Sequence, residues 1–267
     1  MADTLDIRDP LFSSLRDRMF RATITATRAG LVAGMEEALQ QAQSAGVEAV
    51  AEVRDGQWVA PGDVLLTMRG GPKAMAVAED YVLGPLMMAS GWATRAAELR
   101  RIAGRTRVVC GGWKKIPHSV KPLLHRALVS ADVGLRIVDE PFVYIDKNYV
   151  RMFGGIREAL AAAAVFSDRV KVIQVRGERT SIRDEAAEAL EHGADVIMVD
   201  TGSLEDLAAV CETARSYAPM GARVAFAGGV TSEVIMVVTT RFDVYAVDVG
   251  SAILDAPLLD LRFDIET

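Results

Sequence analysis

Between Thr106 and Val150 the chain gathers side chains that could bind and react: Trp113, Lys114, Lys115, His118, Lys121, His125 and Arg136. The cations could hold an anion, Trp113 could stack on a planar ring, and a lysine whose pKa is lowered beside a second ammonium could form a Schiff base. They follow a β-branched run, Thr106 to Val109, that stops at Cys110-Gly111-Gly112, which reads as a buried strand ending in a backbone turn. Ligands of α/β folds bind just past such strand ends. Taken alone, the lysines also fit a solvated basic loop and helix. The glycine pair, which lets a backbone approach a ligand, and the two histidines that follow favour a site.

The elements that must position these groups alternate from Thr106 onward. Strands are expected at Thr106–Val109, Phe142–Ile145, Val170–Val175, Val196–Val199, Val224–Phe226 and Val244–Val247, with helices over Ile156–Val165, Ile182–His192 and Ser203–Tyr217. Short apolar strands alternating with helices imply a parallel sheet, and this many units imply a barrel or most of one. The later strand ends read Asp146-Lys147-Asn148-Tyr149, Arg176 to Glu178, Asp200-Thr201-Gly202, Ala227-Gly228-Gly229 and Asp248-Val249-Gly250-Ser251. The two late glycine turns suit a phosphate held by backbone N–H groups of Gly228, Gly229, Gly250 and Ser251. The alternative is that glycine merely ends these strands tightly.

Before Thr106 the pattern is that of a small α+β module. Phe20 to Thr27 alternates as a half-buried strand, and Leu31 to Ser44 has helical spacing and stops at Gly46. Val47–Val53 returns to strand, Asp55-Gly56 is expected as a hairpin turn, and Val64–Met68 is a further strand. Pro72 to Arg101 is helical, with a break expected at Gly84-Pro85. Met75, Met87 and Met88 lie on its apolar faces and are expected as adaptable core.

Composition narrows the function. At 267 residues with net charge −6 the chain is a poor non-specific nucleic-acid binder, and its local basic patch suits a small anion. The start, MADTLDIRDPLFSSL, has neither the basic beginning nor the apolar run of a signal peptide, and no apolar stretch approaches the ~20 residues of a membrane span. Cys110 and Cys211 show no metal or disulfide spacing. A cytoplasmic protein with reduced thiols is expected.

With these pieces placed, the chain resembles the quinolinate phosphoribosyltransferase (nicotinate-nucleotide pyrophosphorylase) family. The likeness rests on residues 26–38 (ATRAGLVAGMEEA), 55–70 (DGQWVAPGDVLLTMRG), 90–94 (SGWAT), 193–200 (GADVIMVD), 227–233 (AGGVTSE) and the tail 258–266. It implies an N-terminal α/β sandwich domain over 1–101, completed by the tail 256–267, and an open parallel α/β barrel of the incomplete TIM type over 102–255. It also implies homodimers with each site at the subunit boundary. The family's threonine-arginine-lysine becomes Gly112, Trp113 and Lys114, its histidine-arginine becomes Leu135 and Arg136, and its lysine-aspartate-asparagine-histidine resembles Asp146, Lys147, Asn148 and Tyr149. Its cross-dimer arginine stands as Asp80, and a serine and a histidine of the phosphate end as Ala227 and Leu254; Asp200 and the glycines remain.

These replacements remove cations that a dicarboxylate needs when it is buried. The expected function is therefore a diverged phosphoribosyltransferase of pyridine nucleotide biosynthesis whose acceptor is less acidic than quinolinate. In that reading Lys114 and Asp200 are catalytic, Asp200 meeting ribose hydroxyls or Mg²⁺. Trp113, Lys115, His118, Arg136 and Lys147 bind substrate. Two alternatives stay open: a lysine-based lyase acting on a phosphorylated carbonyl compound, and a non-catalytic paralogue that binds a phosphorylated metabolite or another protein.

Overall fold

The structure is a computed structural model that describes residues 6–217 and 222–266. Residues 1–5 and 267, the outer ends of the N-terminal stretch and of the tail read above, and residues 218–221 lie outside it. In chain order the first elements are α1 (Arg8–Leu11), β1 (Phe20–Ala26), β2 (Gly30–Leu31), α2 (Met35–Ala45), β3 (Glu48–Ala51), β4 (Trp58–Val59), β5 (Val64–Gly70), α3 (Pro72–Ala103), β6 (Arg107–Val109) and α4 (Lys121–Ser130). There follow β7 (Phe142–Ile145), α5 (Lys147–Phe153), α6 (Ile156–Ala163), β8 (Val170–Val175), α7 (Ile182–Glu191), β9 (Val196–Asp200), α8 (Leu204–Ser216), β10 (Arg223–Ala227), α9 (Ser232–Arg241), β11 (Ala246–Asp248), α10 (Gly250–Leu254) and β12 (Leu261–Ile265). They gather into two compact units. One holds the residues up to Ala97, Ile116–Asp132 and those from Asp255; the other holds Glu98–Lys115 and Val133–Leu254.

The first unit is built on an antiparallel sheet of order β12-β1-β5-β3. The alternation of β1 fixes which face is dry: Ala22, Ile24 and Ala26 are 0%, 0% and 2% exposed, while Arg21, Thr23 and Thr25 take the other side. Onto the dry face pack Met35, Ala38 and Ala42 of α2 and Met75, Ala78, Val82 and Leu86 of α3. Each large side chain buried there contributes about 1.5–3 kcal/mol. Met75 and, at the edge, Met87 are core, as their helical spacing suggests.

Three local expectations change in this unit. The helix expected from Leu31 starts at Met35, because Leu31 pairs with Trp58 and Gly34 turns the chain at φ 89°. Asp55-Gly56 is no hairpin, since β3 pairs with β5 while β4 pairs with β2. The Asp55 carboxylate instead accepts the N–H groups of Gly34 (3.2 Å) and Met35 (3.0 Å), capping α2. Finally, α3 runs unbroken through Gly84-Pro85. Pro85 frees the carbonyl of Tyr81, but Tyr81 lies on the exposed side where water can satisfy it, and burial of Val82, Leu86 and Ala89 holds the helix together.

The second unit is a curled parallel sheet of order β6-β11-β10-β9-β8-β7. It is open between β6 and β7, where Val109 makes only a one-residue bridge to Gly134. All six strands expected from Thr106 onward are present, as are the three helices, here α6, α7 and α8. Between β10 and β11 lies α9, whose buried residues are only Ile235 and Val238, too few to mark it by periodicity. The mixed α/β architecture, an antiparallel N-terminal sheet and an open parallel barrel, is thus the one expected. Inside the barrel Val109, Val172, Val196, Met198, Ala225, Ala227 and Ala246 form the core, bordered by Phe142 and Tyr144.

Candidate active site

Strand parity places the polar groups of this barrel. Val172 pairs with Val196, Met198 with Ala225, Ala225 with Ala246 and Asp200 with Ala227, so one face of every strand points to the same interior. The next residues in that period of two are Gln174 after Val172, Asp200 after Met198 and Asp248 after Ala246. The interior is apolar along its depth and polar at its carboxyl mouth.

At the mouth these groups satisfy one another. Gln174 donates from Nε2 to Asp200 Oδ2 and accepts the Lys147 N–H at 2.7 Å. Arg176 donates from Nη1 to Asp200 Oδ2 at 2.8 Å, and its Nε lies 3.3 Å from Glu178 Oε1. Glu178 also pairs with Arg151 at 2.7 Å, and its carboxyl is held below the usual range by that hydrogen bond first, with the charges of Arg176 and Lys147 adding. Glu185, 5% exposed, accepts the N–H groups of Arg176, Gly177 and Arg179, which fixes the loop after β8. Asp146 caps α5 through Asn148 N and Tyr149 N, setting Lys147 at the first helical position.

Asp248 is held differently. Its Oδ1 accepts the Gly111 N–H at 2.7 Å, and the nearby Gly250 N–H also favours the ionised carboxylate. Burial, reinforced by the charge of Asp200, pushes its carboxyl above the usual range, while those hydrogen bonds and the charge of Lys115 oppose the shift. Burial likewise pushes the Tyr144 phenol up, with Asp248, Asp200 and Asp146 adding to it. The Cys110 and Cys211 thiols are free and are pushed up to about 11 by burial, so neither is a ready nucleophile at neutral pH.

The glycines divide into two kinds. A Cβ on Gly111 would fall 2.1 Å from Asp248 Oδ2, and one on Gly112 would fall 3.1 Å from Gly250 Cα. One on Gly228 would fall 2.4 Å from Gly202 N. These glycines let neighbouring strand ends close on each other. Gly229, at φ 70°, has open space where a side chain would stand. Val249 N donates to Val109 O at 2.9 Å and Gly250 N lies near the Asp248 carboxylate, whereas Gly228 N and Gly229 N have no intramolecular partner among the described residues.

Of the residues singled out in the sequence, Trp113, Lys114 and Lys115 sit on a 3-10 turn, Gly111–Lys115, with Trp113 47% exposed. Lys115 is the lysine whose charge reaches Asp248 and Cys110; Lys114 is exposed. Arg136 is exposed, and its carbonyl accepts from Arg107 at 3.5 Å. Lys114, Lys115, Arg136 and Lys147 make no ion pair among the described residues. His118, Lys121 and His125 belong to the first compact unit, so the seven-residue cluster is divided between the two units. Arg176 and Asp248 were among the strand-end candidates read from the sequence, without a role of their own, while Tyr144, Gln174 and Glu185 escaped that reading. The signal for Tyr144 and Gln174 was a tyrosine or polar residue at the last inward position of an otherwise apolar strand.

No group of three or more His, Cys, Asp or Glu able to hold a metal ion occurs among the described residues. Asp200 Oδ2 already takes two hydrogen bonds, which leaves Oδ1. Such a site suits Mg²⁺ that arrives on a ligand's phosphates and touches one carboxylate.

The state of Asp248 can be read from stability. A carboxyl whose folded pKa is raised contributes stability that is complete below its unfolded pKa and is lost as pH rises through the folded value. Asp248→Asn should therefore gain thermal stability relative to the parent as pH rises from about 4 to about 8. Paired melting curves check this, and a difference in melting temperature that stays constant across that range would contradict the burial argument.

Comparison with known proteins places this arrangement. Residues 9–90 match the family model for the N-terminal domain of quinolinate phosphoribosyl transferase, and residues 93–264 match that for its C-terminal domain. Over 248 residues the chain is 26% identical to a probable nicotinate-nucleotide pyrophosphorylase (carboxylating) of Archaeoglobus fulgidus, covering 91% of this chain and 93% of that protein. The fold is shared with the nicotinate-nucleotide pyrophosphorylases of Francisella tularensis (TM-score 0.80, 21% identity, 99% of this chain and 91% of that one) and Ehrlichia chaffeensis (0.83, 15%, 99% and 94%). Among the described residues no helix is long and apolar enough to cross a membrane. With both domain models matched in order along nearly the whole chain, the protein belongs to the quinolinate phosphoribosyl transferase family.

Proposed function

We propose that the chain is a phosphoribosyltransferase, acting in the cytoplasm, that moves phosphoribosyl from phosphoribosyl diphosphate to a pyridine carboxylate or related base less acidic than quinolinate. The observation that carries this reading is the self-neutralisation of the barrel mouth. Arg176, the arginine bonded to Asp200, is bound by both Asp200 and Glu178, and Asp248 adds a further, half-buried acid. A dianionic acceptor would meet carboxylates there whose bound guanidinium, Arg176, is already engaged, and each unpaired buried charge costs several kcal/mol, on the order of the whole affinity of a small ligand. Position 80 agrees. Asp80 is an acid and is engaged by Arg8 at 2.6 Å.

In this reading the groups divide by charge. Gly228 N, Gly229 N and Ser251 receive the 5-phosphate. Lys115 and Lys147, with Lys114 and Arg136, meet the diphosphate as its C–O bond to the ribose C1 breaks and it departs with the electron pair. The acceptor nitrogen forms the new bond to C1 while stacked on Trp113. Asp200, oriented by Gln174 and Arg176, holds the ribose hydroxyls. Bound Mg²⁺ would supply further neutralisation of the diphosphate beside Asp200 Oδ1. Catalysis rests on orientation and on cations preorganised for the leaving group.

An assay of diphosphate release across a panel of acceptors tests this. Release is expected with a monocarboxylate or neutral base, and turnover of quinolinate at an ordinary enzyme rate, about 1 per second or more, would overturn the acceptor assignment. Tight binding of phosphoribosyl diphosphate with no release for any acceptor would replace the enzyme by a metabolite-binding paralogue. We also propose a two-fold homodimer, following the family resemblance. Light scattering should give twice the 28.7 kDa chain mass, and a monomer persisting at micromolar concentration would remove that proposal.

A further inference from the structure

We propose that Asp248 is an internal anion seated in the N–H cradle between the ends of β6 and β11, and that an anionic ligand binds the adjoining glycine turns with uptake of a proton by this carboxylate. The inference rests on the phosphate site of the proposed function and says how that site is regulated.

The geometry supplies the argument. The Gly111 N–H donates to the Asp248 carboxylate at 2.7 Å, and the Gly250 N–H, from the other strand end, lies close enough to act on the same carboxylate. The space is shaped for it, because any Cβ at Gly111 would fall 2.1 Å from Asp248 Oδ2. Convergent glycine N–H groups are the usual means of holding a phosphate oxygen. Here the chain fills that cradle with its own oxygen, and Val249 N is spent on Val109 O. A ligand phosphate beside Gly250 and Ser251 therefore lies next to a half-buried carboxylate. Repulsion in this partly desolvated mouth raises the free energy of the ionised pair, and protonating Asp248 relieves it.

The surroundings favour Asp248 as the group that takes the proton. From β9 it faces the charge of Asp200, separated from it by Ala227 on the intervening strand. From β7 it faces the Tyr144 phenol, from the end of β6 the Cys110 thiol, and from the turn beyond it the Lys115 ammonium. Among these only Lys115 favours the carboxylate, and burial already biases Asp248 toward the acid form. By linkage, a ligand that raises a group's pKa must bind more weakly as pH rises.

Inorganic sulfate is the probe, because it stays a dianion over the whole range and any proton taken up belongs to the protein. Isothermal titration calorimetry in buffers of different ionisation enthalpy gives the affinity and the proton count, on the parent and on Asp248→Asn, whose carbonyl can still accept from Gly111 N. The parent should take up protons on binding and lose at least about tenfold in affinity between about pH 5.5 and about pH 8. The variant should take up fewer and bind at least about tenfold more tightly at the upper pH. Equal proton uptake by both proteins would assign the proton elsewhere and sink the inference while leaving the phosphate site standing. Binding by the parent without proton uptake would do the same. No binding by either protein at either pH would remove the phosphate site and the inference together.

Discussion

An ionised carboxylate at the inward end of a buried strand must be hydrogen-bonded or it will not stay ionised. In this barrel that constraint falls on Asp200 and Asp248, two strands apart at the mouth. Asp200 is answered by side chains, Gln174 and Arg176, and Asp248 by backbone, the Gly111 N–H with Gly250 nearby. The loop after β8 is in turn fixed by Glu185, so that Arg176 meets Asp200. The glycines at 111 and 112 serve the second answer, because only there can the ends of β6 and β11 close around a carboxylate.

Charge at the mouth follows from these pairings more than from composition. The chain carries 30 Lys and Arg against 36 Asp and Glu, a balance that says only that any basic surface is local. Which cations remain to meet a ligand is decided residue by residue. Arg176 and Arg151 are consumed by Asp200 and Glu178, and Arg107 by Asp139. Lys115 and Lys147 make no ion pair among the described residues, and their fields are felt by Asp248 and Glu178. A ligand with a concentrated phosphate charge and a weakly acidic ring fits that distribution.

The barrel strands were legible because each is a short apolar run with a glycine or acid at its end or within two residues beyond it, and β1 because its alternation is strict. The unbroken α3 was not, because proline's local cost at Pro85 was outweighed by burial of side chains on either side of it, which only the tertiary structure reveals. Asp55 was misread for a related reason: a turn sequence shows that the chain bends, but not that the carboxylate caps a helix whose start lies 20 residues earlier. In the site, Asp200 and the glycines were visible as strand endings. Asp248 too was visible as a strand ending, whereas Gln174 required knowing which strand face points inward, which register alone supplies. Glycine spacing also could not separate Gly228, which backbone crowding demands, from Gly229, which it does not.

The central claim is that phosphate binds at the barrel's carboxyl mouth, with Gly229 leaving the approach open. A crystal structure of the protein with phosphoribosyl diphosphate tests it most directly. The account predicts the 5-phosphate between Ala227-Gly228-Gly229 and Val249-Gly250-Ser251, within hydrogen-bond distance of Gly229 N, and the diphosphate toward Lys115. A ligand bound away from both turns, with Gly229 still facing solvent, would contradict it and reduce the glycines to strand terminators.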